Sequence, residues 1–89
     1  MARHFTSENL RALGSAAFLV RNTAWKCGRV EKMIIHHLLH TAKRSGKVAC
    51  KVTDMVRHFS LEGKARIEFL DALKRLEGRY IVRLSHLRD

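Results

Sequence analysis

The sequence predicts a mainly α domain with a small two-stranded antiparallel sheet. Residues 29–44 and 64–77 place apolar side chains at the i, i+3, i+4 and i+7 spacing of an amphipathic helix. Residues 48–52 and 80–85 alternate apolar and polar side chains with the two-residue period of a half-buried strand. With 89 residues and 46% apolar content, the chain can bury one modest core, so we expect one domain with an N-terminal helical extension over residues 1–28.

The first predicted helix lies in this extension. Thr6 or Ser7 can cap it, and residues 22–23 mark its exit. Its apolar positions fall at helical spacing: Leu10, Leu13, Ala17 and Phe18. Trp25 follows in a connector that ends at Gly28. We expect the helix and Trp25 to complete the core, and the alternative is an interface with a partner.

The clearest helical period covers residues 29–44. Its inner face is predicted to hold Val30, Met33, Ile34, His37, Leu38 and Thr41. Residues 45–46 (Ser-Gly) stop this helix, and a short strand follows over residues 48–52. There the apolar residues Val48, Cys50 and Val52 alternate with Lys47, Ala49 and Lys51. The strand is therefore expected to be basic on its outer face.

A second pair of helices and a strand complete the chain. Thr53 is a natural N-cap for a helix of about two turns, from which Val56 and Phe59 point inward. Residues 60–63 make a turn, and the helix over residues 64–77 is predicted to bury Ala65, Phe69, Ala72, Leu73 and Leu76. Gly78 ends that helix. The final strand is expected to alternate Tyr80, Val82 and Leu84 with Ile81, Arg83 and Ser85, and to pair antiparallel with residues 48–52.

A short helix, a turn containing glycine and a longer helix form a helix-turn-helix, in which the first helix braces the second for entry into a major groove. Residues 54–59 and 64–77 fit this pattern. The segment KVTDMVRHFSLEGKARIEFLDALKRLEGRYIVRL, with the helix and strand around it, resembles the winged-helix family of nucleic-acid-binding domains over residues 29–87. Within it, FLDALKRLEGRYIVRL looks like the end of a recognition helix and a first wing strand.

The resemblance implies a winged-helix domain over residues 29–89 that contacts nucleic acid through the helix at residues 64–77. Family members usually continue into a wing loop and a third strand. Only residues 85–89 follow the last predicted strand. The resemblance therefore implies a truncated wing.

The charge balance points to a polyanionic partner. Eighteen Lys and Arg face eight Asp and Glu, which leaves a formal net charge of +10. Composition alone leaves DNA, RNA and anionic membrane open, but no apolar run approaches the roughly 20 residues of a membrane span. Cys27 and Cys50 are far apart and form no CxxC motif, as is typical of reduced thiols. We expect no membrane association and an intracellular location, in the cytoplasm, nucleoid or nucleus.

On a helical wheel, the core stripe of residues 64–77 turns Lys64, Ile67, Asp71 and Lys74 outward, with Arg66 and Arg75 on the flanks. Basic side chains there can neutralise phosphates or read guanine edges, and Ile67 can meet a thymine methyl group. Asp71 fits only if it pairs with Lys74 or Arg75, or reads a cytosine amino group. Further phosphate contacts are predicted at Lys47, Lys51, Arg57, Arg79 and Arg83. The alternative is a solvated charged face.

Three histidines form the sequence HHLLH, in which His36 and His40 have the i, i+4 spacing that can share a metal. No glutamate follows the first histidine and no third ligand has a recognisable spacing, so metal ligation there stays open and we predict neither a metal site nor another cofactor. His37 fits a core or interface position. Protonation of the outer histidines below about pH 6.5 would add positive charge. No phosphate-binding glycine loop or nucleophile elbow is present, so we expect no enzyme.

Three functions remain open from the sequence. The leading one is a sequence-specific double-stranded DNA-binding protein, a small transcriptional regulator, with a homodimer through the N-terminal helix placing two recognition helices on a palindromic site. The second is an RNA-binding ribosomal or ribonucleoprotein component, because GKARIEFLDAL resembles a winged-helix protein of the eukaryotic and archaeal small ribosomal subunit. The third is a winged helix that docks a protein partner.

Overall fold

The computed structural model describes residues 6–86 and shows a mainly α domain with a small antiparallel sheet. Its elements are α1 (Ser7–Leu13), β1 (Ser15–Leu19), α2 (Arg29–Ser45), β2 (Ala49–Lys51), α3 (Val52–His58), α4 (Gly63–Gly78) and β3 (Val82–His86). The sheet has three strands in the order β2-β1-β3. The prediction of two strands is therefore wrong, although the class of fold is confirmed.

The predicted pairing between the two later strands is also wrong, because β1 lies between them. It pairs antiparallel with both neighbours, so that Ala17 lies opposite Cys50 on one side and Leu84 on the other. Ala17 and Leu84 belong to the core, and Cys50 packs against it. The N-terminal segment thus supplies the central strand of the sheet rather than an added helix alone.

The cap of the first helix is confirmed, but its predicted length is wrong. The Asn9 amide donates to Thr6 Oγ1 at 3.1 Å and the Thr6 amide donates to Asn9 Oδ1 at 3.0 Å, which is a capping box. The helix stops at Gly14, and Ala17 and Phe18 lie in β1. They belong to a continuous apolar run over residues 16–20, and a run of this length fits a buried strand as well as a helical segment, so periodicity does not distinguish the two.

The long helix α2 forms where the periodicity predicts it. The Glu31 carboxylate accepts the Gly28 amide at 2.8 Å, which caps the start of the helix. Gly46 ends it with φ at +72°, a left-handed conformation that glycine adopts without steric cost. Ile34 and Leu38 are buried as predicted. This helix forms one wall of the core.

The strand β2 is shorter than predicted because α3 begins earlier. Lys51, not Thr53, is the N-cap, and Val52 is the first helical residue. Val52 and Met55 are one helical turn apart and both are fully buried, so starting the helix here brings two apolar side chains into the core. Val48, predicted to point inward, is 73% exposed.

The helix α4 is the centre of the core. Its buried side chains are Phe69, Leu70, Ala72, Leu73 and Leu76, and burial of each large apolar side chain stabilises the fold by about 1.5–3 kcal/mol. Ala65, predicted to be buried, is exposed at the first turn. Gly78 is the last helical residue, and Tyr80, predicted in the strand, instead takes a φ of +57° before β3.

Candidate nucleic-acid interface

The helices α3 and α4, joined by a short turn, form the candidate helix-turn-helix. The turn over residues 59–62 is closed by the Leu61 amide, which donates to the Val56 carbonyl at 2.9 Å. Ser60 and Gly63 have φ values of +53° and +59°, which reverse the chain between α3 and α4. The rings of Phe59 and Phe69 lie 6.1 Å apart and pack one helix on the other. The predicted order of short helix, turn and long helix is thus present.

The first two turns of α4 are open to solvent on their outer side. Lys64 and Ala65 are exposed, and Arg66 and Ile67 are half-buried. Recognition helices contact base edges mainly with their N-terminal residues. The part of α4 that such contacts require is therefore accessible.

The second half of α4 is covered by α1. Lys74 Nζ lies 3.5 Å from Glu8 Oε2 and 3.4 Å from Asp71 Oδ1, and the Asn9 side chain donates to Asp71 at 3.3 Å. The Lys74 and Asp71 side chains are only 24% and 27% exposed. The predicted pairing of Asp71 with Lys74 is present, but both residues face α1 instead of the open solvent that the helical wheel implies. The wheel contains no information about an element that folds back onto the helix.

The two predicted basic flanks at the end of α4 also have internal partners. Arg75 Nε lies 3.8 Å from Glu31 Oε2. Arg79 donates to the main-chain carbonyls of Trp25 at 2.7 Å and Lys26 at 3.2 Å, and so ties the connector before α2 to the end of α4. Because α4 has 16 residues, this end lies about 24 Å from its start.

Four basic residues border α3 and the start of α4, and we call them the basic edge: Lys47, Lys51, Arg57 and Lys64. All four are exposed. Lys47 and Lys51 line a surface depression of about 360 Å³ together with Asp54 and His58. Arg57 is 80% exposed and lies 3.7 Å from Asp54. Within residues 6–86, the three lysines form no ion pair.

Arg83 lies on the outer face of the sheet rather than beside α4. Its guanidinium is 5.1 Å from the centre of the Phe18 ring on the neighbouring strand, a cation–π contact. Lys51 shares this face, because both Lys51 and Ser85 are opposite Ala16 in β1. The predicted contact residues therefore do not form one surface. They lie along the basic edge and the first two turns of α4, against α1, at the end of α4, and on the sheet face that Lys51 shares with Arg83.

A cluster of histidines lies next to the basic edge. His37 packs against His58 at 4.8 Å and against Phe59 at 5.1 Å between ring centres, while His36 and His40 stack at 6.4 Å. Burial, followed by the nearby charges of His58, His40 and His36, lowers the pKa of His37 from its usual 6.5. In the part of the chain that the structure describes, no group of three or more His, Cys, Asp or Glu side chains is arranged to hold a metal ion.

Sequence reasoning missed an exposed pair of aromatic residues. Trp25 is 69% exposed and Tyr80 is 77% exposed, so the prediction that Trp25 completes the core is wrong. Arg44, which lines a second depression beside His37 and His58, was missed as well. Its position at the end of a basic helix and before a basic strand could have indicated that Arg44 belongs to the same basic surface.

Comparisons with protein-family models, curated proteins and solved structures gave no match. Between residues 6 and 86, no helix combines the length and the apolar character that crossing a bilayer requires. The homodimer through the N-terminal helix stays a prediction. In this chain α1 contacts α3 and α4, while Leu10 on it is 59% exposed.

Proposed function

We propose that this chain is a small sequence-specific double-stranded DNA-binding protein of the winged-helix type, with α4 as its recognition helix. The observation that carries the proposal is the basic edge. Within residues 6–86, Lys47, Lys51 and Lys64 are exposed and form no ion pair. Lys64 lies on the first turn of α4, while Lys47 and Lys51 line one depression with Asp54 and His58 of α3. Lysines without internal counterions are available to displace the cations that DNA phosphates condense.

The sheet topology supports the winged-helix assignment. A winged-helix domain builds its sheet from one strand before the helix pair and two strands after it. This chain has one strand on each side of the pair, and β1 supplies the third strand from the N-terminal segment. The truncated wing that the sequence predicts is thus compatible with a complete three-stranded sheet.

The exposed residues suggest how a duplex would bind. The first two turns of α4 enter the major groove, where Lys64 and Arg66 reach phosphates or guanine edges and Ile67 meets a thymine methyl group. Lys47, Lys51 and Arg57 hold the flanking phosphates. Asp71 and Lys74 neutralise each other against α1 and take no part. A carboxylate facing DNA, the least favourable feature of the sequence, is thereby removed from the interface.

The test measures binding of a labelled DNA duplex by fluorescence anisotropy at several salt concentrations. The double variant Lys47→Gln/Lys51→Gln is compared with Arg21→Gln/Arg29→Gln, which removes one exposed cation from the connector before α2 and one from the first residue of α2. Loss of two phosphate contacts lowers the slope of log K against log salt by about 2. We expect this change in the first variant and a nearly unchanged slope in the second.

Two results would overturn the proposal. One is the absence of duplex binding by the unmodified chain at low salt. The other is an equal loss in the two double variants, which would mean that net charge alone attracts DNA. Selection of bound sequences from a random duplex pool then tests specificity, and recovery of no preferred sequence would contradict a regulator.

A further inference from the structure

The exposed aromatic residues lie in a second basic surface, at the opposite end of α4 from the basic edge. We call this surface the aromatic patch: Trp25, Lys26, Arg75 and Arg79, which line one depression, and Tyr80, which follows Arg79 in the chain. Trp25 and Tyr80 are the only aromatic side chains among the large exposed apolar residues that the structure describes between residues 6 and 86. Large aromatic side chains usually contribute to the core, so two of them in solvent call for a reason.

The two segments that carry these rings are fastened together. The Arg79 guanidinium holds the carbonyls of Trp25 and Lys26, and the Val20 amide donates to the Ile81 carbonyl at 2.8 Å. Arg79 is thus a positioning residue, because its donors face the main chain of the connector. These hydrogen bonds hold the backbone of the connector against the backbone that follows α4.

The backbone of the patch is strained at two positions. Lys26 and Tyr80 have φ values of +54° and +57°, and within residues 6–86 only one other residue besides glycine, Ser60, has a positive φ. A bulky residue in this region is strained, and such strain clusters at binding sites. Glycine at either position would relieve the strain. The chain instead places a lysine and a tyrosine there.

The chemistry of the patch suits an unpaired nucleotide. Trp25, Lys26, Arg75 and Arg79 line an open depression of about 660 Å³, which lies in the size range of nucleotide-sized sites. Lys26 Nζ lies over the Trp25 ring, 4.7 Å from its centre, so the cation covers one face of the ring, and a base would stack on the other face or displace the ammonium group. The one carboxylate in the lining, that of Glu31, belongs to a buried residue and is engaged by Gly28 and Arg75.

We propose that the aromatic patch binds single-stranded nucleic acid, with unpaired bases stacking on Trp25 and Tyr80 and with Lys26 neutralising a phosphate. Stacking on aromatic side chains needs bases that are free of a duplex, and it tolerates any sequence. This site is independent of the proposed duplex interface, since α4 separates the two by about 24 Å. The surrounding cations favour a polyanion over an apolar protein partner.

The test uses the full chain, a labelled thymidine oligomer and the intrinsic fluorescence of the single tryptophan. We expect the oligomer to quench Trp25 fluorescence, and we expect Trp25→Ala to weaken binding by about 5- to 150-fold. Trp25→Phe retains a stacking ring and most of the affinity. Leu10→Ala removes an exposed apolar residue elsewhere and serves as the matched control.

Tyr80→Gly separates a binding role from a folding role. Glycine accepts the left-handed backbone, so this variant should melt no lower than the unmodified chain while it loses affinity for the oligomer. A variant that melts lower and binds normally would contradict the assignment of Tyr80.

Two further outcomes would overturn the proposal. An abasic oligomer of equal charge that binds as tightly as the thymidine oligomer would exclude stacking. Anionic phospholipid vesicles or an acidic peptide that quench Trp25 at concentrations where the oligomer does not would identify a different partner. Duplex binding is measured in parallel. If the two sites are separate, Trp25→Ala leaves duplex affinity unchanged. Loss of oligomer binding and loss of duplex binding then test the two proposals independently.

Discussion

The two ends of α4 carry the same kinds of charged residue in different surroundings. At the first turn Lys64 is exposed and has no ion pair with another described residue. In the second half Lys74 contacts Glu8 and Asp71, and Arg75 contacts Glu31. The carboxylates come from α1 and α2 as well as from α4 itself. A basic residue is available to a polyanion only where the rest of the fold does not already neutralise it.

The most sensitive test of this difference is to reverse the charge of one lysine in each half of α4. Lys64→Glu should lower duplex affinity by about tenfold or more while barely changing the melting temperature, because it removes a phosphate or base contact and no internal contact. Lys74→Glu should leave duplex affinity nearly unchanged but destabilise the fold by roughly 1 kcal/mol, since it places three carboxylates together. That loss lowers the melting temperature by about 4–8 °C in a domain of this size.

Anisotropy titration and thermal melting of both variants give the measurement. If Lys74→Glu lost as much affinity as Lys64→Glu, the second half of α4 would contact DNA and α1 would have to move away on binding. If neither variant lost affinity, α4 would not be the recognition helix.

The sequence predicts the helices, but it does not predict which charged side chains have internal ion-pair partners. Residues of α2 and α4 repeat an apolar pattern over more than three turns, and Gly46 and Gly78 mark their ends, so local information suffices. The contact between Glu8 and Lys74 joins residues that are 66 positions apart. No period in the sequence encodes such a pair, and the same holds for the pairing of β1 with β3.

The segment after Gly14 shows why the sheet was mispredicted. Four of its five residues form a continuous apolar run, which fits a helix and a buried strand equally well. The deciding factor is the place between β2 and β3, which exists only in the folded protein. Trp25 was assigned to the core because a minimal three-helix motif leaves apolar surface to be covered. In the structure Arg79 holds the main chain at Trp25, and the side chain remains exposed.

The histidine cluster lies between α2 and the end of α3, and it predicts an acid-sensitive stability. Burial and the neighbouring histidines lower the pKa of His37, so the unfolded chain binds more protons than the folded one below pH 6.5. Stability therefore falls as the pH falls from 6.5 towards the lowered pKa, and levels off below it. His37→Phe keeps a ring against Phe59 and removes the titrating group.

Melting temperatures at pH 7.5 and 5.5 give the measurement. We expect a smaller fall for His37→Phe than for the unmodified chain. His86→Asn removes an exposed histidine of β3 and serves as the control. An equal fall in all three proteins would show that the acid sensitivity does not come from His37. The other charged groups in the depressions beside His37 are Lys47, Lys51, Asp54 and Arg44.

The smallest expected effect concerns the caps of α1 and α4. Thr6 closes a capping box on α1, whereas Glu62 precedes α4 in an extended conformation and its side chain accepts no hydrogen bond from the helix. Glu62→Asp keeps the charge near the helix dipole and adds a side chain of the length that caps require. We expect it to stabilise the fold by roughly 0.5–1 kcal/mol in denaturant titration, with duplex affinity unchanged because the net charge is unchanged. Thr6→Ala should change stability by a similar amount in the opposite direction. If Glu62→Asp weakened duplex binding instead, the free amides at the start of α4 would themselves be part of the DNA contact, and the open end of the helix would contribute its backbone as well as Lys64.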